Sequence, residues 1–564
     1  MKNIKHSKRY GAYLILLITL LAGCGKDFIT QPPQDTIVDA NFYKTADQVL
    51  AGSAPLYNVV WFAYNDKASH GLGDGRGGVL TTGSYQIENI QFKTTGITGE
   101  NGSAWRAFYN VVGQSNTLIN NINRYAGPDV PKNIKEHAIA EARFMRGLAY
   151  YFLVSNWGPV PIITDNATLL QDTTISRNTV ESIWDFICRD MRYSATHLPE
   201  TPIQVGRLFK YSAEGMLAKM YLTRAGLNQS LGSRDQVFLD SAKYLAKDVI
   251  DNSGASLMAN YEDLYLTANN NNPESLFALQ WVYNGPDWGS QNSVQAFLAY
   301  GSSITGFADG WGGDLGASMY MLKKYEGLVS TGSTPDLRRK GTFMLPGDHY
   351  SYIHQQLLDA NGNPFTQELR VPIGGSGYNT RAWVKKYVVG RPEDNGGKVT
   401  QQHTGNNTYM LRLADVYLIY AEAILGNANS TSDAEALTYY TKVRNRAGLD
   451  LVTPKTSITW GDIFKERQLE FAMEGQMWYD FVRYSYYNKQ GAYDSLANQD
   501  RGFYFIWPNT PVDPTKWKIR ADSTRTLDQR YYPVNDGNFH LPIPSTELSR
   551  APNLKKEPVT YVFK

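Results

Sequence analysis

The stretch 462–484, DIFKERQLEFAMEGQMWYDFVRY, limits the fold more than any other part of the chain, because it sets ions and large rings on one surface. Ile463, Phe464 and Phe471, and less closely Gln468, follow the i, i+3, i+4, i+7 spacing of a helical face. Arg467, Glu470 and Glu474 are spaced as neighbours on that helix, and Gly475 reads as its stop. Trp478, Tyr479 and Phe481 begin a second segment, in which Asp480 and Arg483 are spaced to pair. An ion among aromatic rings must be paired, because an unpaired buried charge is very costly. The expectation is a helical core with internal ion pairs.

Helical periodicity dominates elsewhere. Thr45 is a good N-cap for a helix over 45–57. Amphipathic runs over 105–125 and 133–157 are joined by a Gly-Pro-Asp-Val-Pro turn. Ala140, Ala142, Gly147 and Ala149 in the second permit close helix approach, and Gly158-Pro159 stops it. Further helices are predicted over 179–195, 210–228, 233–251, 409–425 and 432–447. Helix pairs of this length suggest tetratricopeptide-like units, although no clean 34-residue consensus repeats. Residues 65–99 read as a Gly- and Thr-rich loop with Trp61 and Tyr64 at its start. Residues 261–402 read as an irregular, loop-rich insertion containing one short strand over 276–281. Variable loops on a rigid scaffold usually carry binding.

The first residues read as an export signal. Lys2, Lys5, Lys8 and Arg9 precede an apolar run over 12–21, which is shorter than the ~20 residues a bilayer span needs. It ends in Leu21-Ala22-Gly23-Cys24, which looks like a lipobox with Cys24 as the lipidated residue. A Pro- and Thr-containing tether follows. Cys188 then has no partner for a disulfide and sits in an apolar helical run, as a buried inert thiol would. The net charge of +2 offers no basic stripe, so nucleic acid is not expected as a partner.

Catalytic chemistry finds little support. Glu470 and Glu474, one turn apart, approach the roughly 5 Å separation of a retaining glycosidase pair. Such pairs flank a cleft from different elements, however, and here Arg467 and core-like residues surround them, so structural ion pairing is the expectation. The histidines show no metal spacing, and Gly71 to Gly78 lacks the strand, helix and lysine of a phosphate loop. No cofactor is expected.

Binding is better supported. Aromatic residues make up 13% of the chain, and several cluster beside glycines in the insertion: Trp281, Tyr283, Trp288, Tyr300, Trp311 and Tyr320. With Trp61 and Tyr64 they suggest presented rings. Sugar C–H faces stack on such rings, while Asp74, Arg76, Asp309 and Asp314 are placed to fix hydroxyls. The alternative for any one tryptophan is core packing.

The 462–484 stretch closely resembles the ERRxELxFEGxRWxDLxR signature of the SusD/RagB family, matching at Glu466-Arg467, Glu470, Phe471, Glu474-Gly475, Trp478, Asp480 and Arg483. It departs at Gln468 and Met477, where the family favours Arg. RLADVYLIYAEA over 412–423, VRNRAGL over 443–449 and Leu541-Pro542-Ile543-Pro544 with Glu547-Leu548 match in order and spacing. The resemblance implies a mainly α fold with tetratricopeptide-like pairs. Its expected organisation is a signal peptide over 1–23, a lipid-anchored tether over 24–38, a helical region over 39–260, the insertion over 261–402 as ligand face, and a C-terminal region over 403–564 packed with the N-terminal helices. It implies an outer-membrane lipoprotein facing the cell exterior that captures a glycan and passes it to a SusC-like TonB-dependent transporter. A RagB-like peptide binder, a surface glycosidase and a purely structural scaffold are the alternatives.

Overall fold

The computed structural model describes residues 39–563, apart from 171, 173, 286–287, 330–333, 378, 510–515 and 525–528. The signal sequence, the tether and Cys24 lie outside the described residues. Among the described residues eleven α-helices have eight or more residues: α1 Ala46–Ser53, α2 Gly99–Tyr125, α3 Lys132–Trp157, α4 Val180–His197, α5 Lys210–Arg224, α6 Gln236–Asn252, α7 Leu413–Leu425, α8 Ala434–Arg446, α9 Trp460–Glu470, α10 Met477–Ser485 and α11 Lys489–Ala497. From α2 to α8 each helix packs on the next. The contact of α6 on α7 therefore closes the scaffold across the intervening insertion.

Local signals account for several of these elements. Thr45 caps α1 in a reciprocal box, accepting from Gln48 N at 3.2 Å while Gln48 Oε1 accepts from Thr45 N at 3.1 Å. At Gly147, an added Cβ would lie 3.1 Å from Met191 Cε, so the small residue is what lets α3 and α4 approach. The guanidinium of Arg146 beside it is buried against Asp190 at 2.8 Å. Gly158 ends α3 with φ +69°. Cys188, 2% exposed, has its thiol pushed up to about 11 by burial.

Two expectations need correction. Residues 409–412, expected to open a helix, are not helical: Thr408–Arg412 is a buried strand paired antiparallel with Ser275–Leu279, and α7 begins at Leu413. The second concerns the ion pairs. α9 ends at Glu470, and the chain turns through Met473 and Gly475, both with positive φ, so Glu474 is no longer on the helix.

Arg467 does not pair with either glutamate. It donates to Asp415 at 2.6 Å and to Asp480 at 2.9 Å, while Lys219 reaches Asp415 at 3.0 Å. Glu470 is set among Arg412 at 2.9 Å, Arg338 at 3.3 Å and Arg446, with no exposure of its own. Glu474 takes Arg412 at 2.7 Å, Lys386 at 3.0 Å and the Tyr265 hydroxyl at 2.8 Å. Asp480 and Arg483 do pair, at 3.3 Å. The cations on Glu470 and Glu474, namely Arg338, Lys386, Arg412 and Arg446, come from four separate parts of the chain, so the network ties the insertion to the C-terminal helices. Two buried, neutralised carboxylates do not flank an open cleft, which removes the glycosidase pair.

Candidate functional site

The glycine-rich run is not a loop. Tyr64–Gly75 forms a wide, π-type helix, nearly all of it buried. Glycine is required where it meets the ion-pair segment: a Cβ on Gly73 would stand 2.3 Å from the Gly475 carbonyl oxygen. Asp74 fixes that junction by accepting from Met473 N and Gly475 N, each at 3.0 Å. Burial pushes its carboxyl up to about 8 despite those donors. Arg76 lies between the Phe92 and Trp478 rings at 5.0 and 4.4 Å and donates to the Asn538 and Phe539 carbonyls. Burial draws its pKa down to about 9. Asp74 and Arg76 are thus internal ties, 1% exposed, and not groups offered to a hydroxyl.

Trp61 and Tyr64 are internal too, with Trp61 fully buried. The Trp61 indole N–H donates to Leu56 O at 3.0 Å, and the Tyr64 ring stacks on Phe152 at 5.0 Å. Trp281, 4% exposed, donates its indole N–H to Thr408 Oγ1 at 3.0 Å. These three rings pack where the expectation had presented surfaces. Glycine neighbours do not reveal burial; the Ser275–Leu279 strand pairing does.

Two rings are presented. Trp288 is 58% and Trp311 51% exposed. Trp288 meets Phe62 edge-on at 5.3 Å and the His403 ring at 5.4 Å. Trp311 meets Phe297 at 5.6 Å, and the far side of this pair is extended by Tyr85, stacked on Phe297 at 5.7 Å and 15°. Glycine has a specific task at Trp311. A Cβ on Gly310 would fall 2.4 Å from the Gly301 carbonyl carbon, and one on Gly312 would fall 2.2 Å from that of Leu298. Only glycines let this turn press onto the 298–301 backbone and hold the indole outward. Phe62, which backs Trp288, and Lys67, whose Nζ lies 5.6 Å from the Phe297 centroid, are five residues apart. Within residues 61–70 only Phe62, Ala63, Asp66 and Lys67 keep exposure, a four-residue recurrence that sets Phe62 and Lys67 on the same outer side of the helix and so brings the two tryptophan groups to one face.

Asp314 serves this face from behind. It accepts from Thr82 Oγ1, Ser84 N, Ser84 Oγ and Tyr85 N, each at 2.8 Å, and from Gly83 N at 3.0 Å. Burial works to raise its pKa, but the Tyr85 N–H and the Ser84 and Thr82 hydroxyls outweigh it and hold the carboxyl well below the usual carboxylate range. Its lone pairs are spent on the loop that carries Tyr85. Asp309 is buried, and burial raises its pKa. Tyr320 is half-buried under Lys324, whose Nζ is 4.3 Å from its centroid, and Tyr283 is half-buried at the Gly405 backbone.

Phe62, Lys67, Tyr85, Phe297 and His403 were not singled out in the sequence. Their one signal is spacing: Phe62 and Tyr85 flank the buried helix, and Phe297 follows the tryptophan–glycine turn at Trp288. Their meeting depends on long-range packing that no local pattern encodes. Among the described residues no group of His, Cys, Asp or Glu is arranged to hold a metal ion.

The SusD family model matches residues 252–559, and a second family model, starch-binding associating with outer membrane, matches residues 32–222. The fold is a packed series of helices, α2 to α8, with a loop-rich insertion between α6 and α7. The chain belongs to the SusD family. A SusD-like protein of Bacteroides ovatus is 37% identical over 96% of both chains. A solved structure described as containing xylogluco-oligosaccharide is 35% identical, with a TM-score of 0.78, covering 92% of this chain and 99% of its own. A laminarin-binding SusD-like protein, 22% identical with a TM-score of 0.64 over 90% of this chain and 98% of its own, shares the fold.

Proposed function

We propose that this protein binds a glycan at the cell surface, on the face built by Trp288 and Trp311. The observation that carries the reading is selective exposure. These two rings stand half-clear of the surface, each steadied by other aromatic groups, while Trp61 and Trp281 are packed inside. A fixed, exposed indole offers dispersion and apolar burial to a sugar's C–H face without an ordering cost. The relative solved with xylogluco-oligosaccharide supports a neutral oligosaccharide as ligand. Trp288→Ala and Trp311→Ala are each expected to weaken binding of xylogluco-oligosaccharide by about 1–3 kcal/mol, by analogy with stacking on nucleobases. Their melting temperatures should stay near the parent's, because an exposed ring leaves no cavity. Calorimetric titration and thermal melting check this; parental affinity with lowered melting in both variants would sink it.

The uptake role extends the same reading. Anchored through lipid on Cys24, the protein passes its glycan to a SusC-like TonB-dependent barrel in the outer membrane. The lipobox-like sequence and the family support this, and among the described residues no helix is long and apolar enough to cross a bilayer. Cys24→Ala is expected to leave the membrane fraction and to lose palmitate labelling. Labelled protein retained with the membranes would rule the anchor out.

A further inference from the structure

The aromatic face explains how a sugar ring is held but not what reads its hydroxyls. None of the four polar residues named from the sequence is offered to solvent: Asp74 and Arg76 are internal, Asp309 is buried, and Asp314 is spent on the Tyr85 loop. Between the two tryptophan groups the wide helix presents a different pair, Asp66 and Lys67.

Lys67 is exposed, its side chain retaining 54% of its accessible surface, and its Nζ lies 5.6 Å from the Phe297 centroid, at the ring that also backs Trp311. Its carboxylate neighbour Asp66 is 3.8 Å away, beyond hydrogen-bond reach, so the ammonium's donors are not consumed there. Asp66 is held differently. Ser293 Oγ donates to its Oδ1 at 2.5 Å, which fixes the carboxylate to the segment between Trp288 and Phe297. Its side chain keeps 14% exposure. The face therefore sets a fixed acceptor beside a free donor, both within one helical turn, with an exposed indole on either side.

We infer that Asp66 and Lys67 form the polar edge of the sugar site and grip a vicinal diol, Lys67 donating to one hydroxyl oxygen and Asp66 accepting from the neighbouring hydroxyl. The inference rests on the aromatic-face reading and narrows its ligand. A carboxylate fixed beside the ammonium repels an acidic sugar, so the fitting class is a neutral glycan whose stacked unit has two adjacent free hydroxyls. A group built to hydrogen-bond a hydroxyl rejects an analogue lacking it, because its own polar atoms are then left unpaired. Blocking the diol should therefore cost more than removing apolar contact.

Lys67→Met tests this, since methionine keeps an unbranched stem over Phe297 and loses the donors. Against xylogluco-oligosaccharide it is expected to bind at least ten-fold more weakly than the parent, with unchanged melting. Lys67→Arg should recover part of the loss. The decisive readout is selectivity. The parent should discriminate against a partly O-methylated xylogluco-oligosaccharide, and Lys67→Met should bind the methylated and free forms alike. Asp66→Asn should lower the same discrimination. If Lys67→Met keeps parental affinity and selectivity while Trp311→Ala loses binding, the diol grip is wrong and the aromatic face stands. If Trp288→Ala and Trp311→Ala also bind as the parent does, the face itself is wrong. Tighter binding of a uronic-acid oligosaccharide than of the neutral one, lost in Lys67→Met, would replace the diol with a carboxylate and overturn the neutral-glycan assignment.

Discussion

Glu470→Ala is expected to cost about 3–5 kcal/mol of stability, the range for breaking a buried ion pair by removing one partner. The carboxylate has no exposure and answers Arg412, Arg338 and Arg446 together. Its removal leaves three buried guanidinium groups one negative charge short, although Glu274, Glu466 and Asp336 still serve them in part. Burial alone would raise the Glu470 pKa; Arg446, Arg412 and Arg338 outweigh it and hold the carboxyl well below the usual range. A depressed carboxyl contributes stability that is present above its unfolded pKa, about 4.3 for Glu, and is lost as pH falls toward the folded value. The variant should therefore lose stability at neutral pH and show a shallower decline on acidification. Urea unfolding measures this as a lower midpoint at unchanged slope. A midpoint equal to the parent's at pH 7 would show that the network relaxes without the carboxylate.

Trp61→Ala is the counterpart on the other side of the site. A fully buried indole touching Tyr64 at 5.8 Å and Phe152 at 6.1 Å leaves a cavity when truncated. The expected loss is about 3–5 kcal/mol of stability, as for large-to-small changes in cores. Affinity per folded molecule should remain near the parent's, because Phe62, not Trp61, meets Trp288. Melting and calorimetry on one sample separate the two quantities. Parental melting with lost affinity would return Trp61 to the ligand face.

The sequence makes the scaffold legible because its signals are local. Thr45 with Gln48, Gly158 with Pro159 and the small residues of α3 each act within a few positions of where they are read. It also shows that Arg467, Glu470 and Glu474 must be paired. It does not show with what, because Asp415, Arg412, Arg338 and Lys386 are remote in sequence. The candidate site divides along the same line. Trp288 and Trp311 are legible through their glycines, and at Trp311 the backbone contacts give the physical reason. Trp61, Tyr64 and Trp281 carry a similar signature and are core, since exposure is decided by what packs on a ring from elsewhere.

Asp74 joins residues 399 and 401 positions further along the chain, at Met473 and Gly475. One wall of the proposed face, from Phe62 to Tyr85, is thus tied to a turn that is made late in the chain. Loop-closure entropy must be overcome before such a distant contact contributes anything. As the chain emerges N-terminus first, this wall stays without that tie until residue 475 has followed. A product ending before residue 473 retains the α2 to α8 sequence in full, with the Phe108 and Phe152 rings on which Tyr64 packs, but it lacks the turn to which Asp74 ties the helical segment that carries Phe62, Asp66 and Lys67.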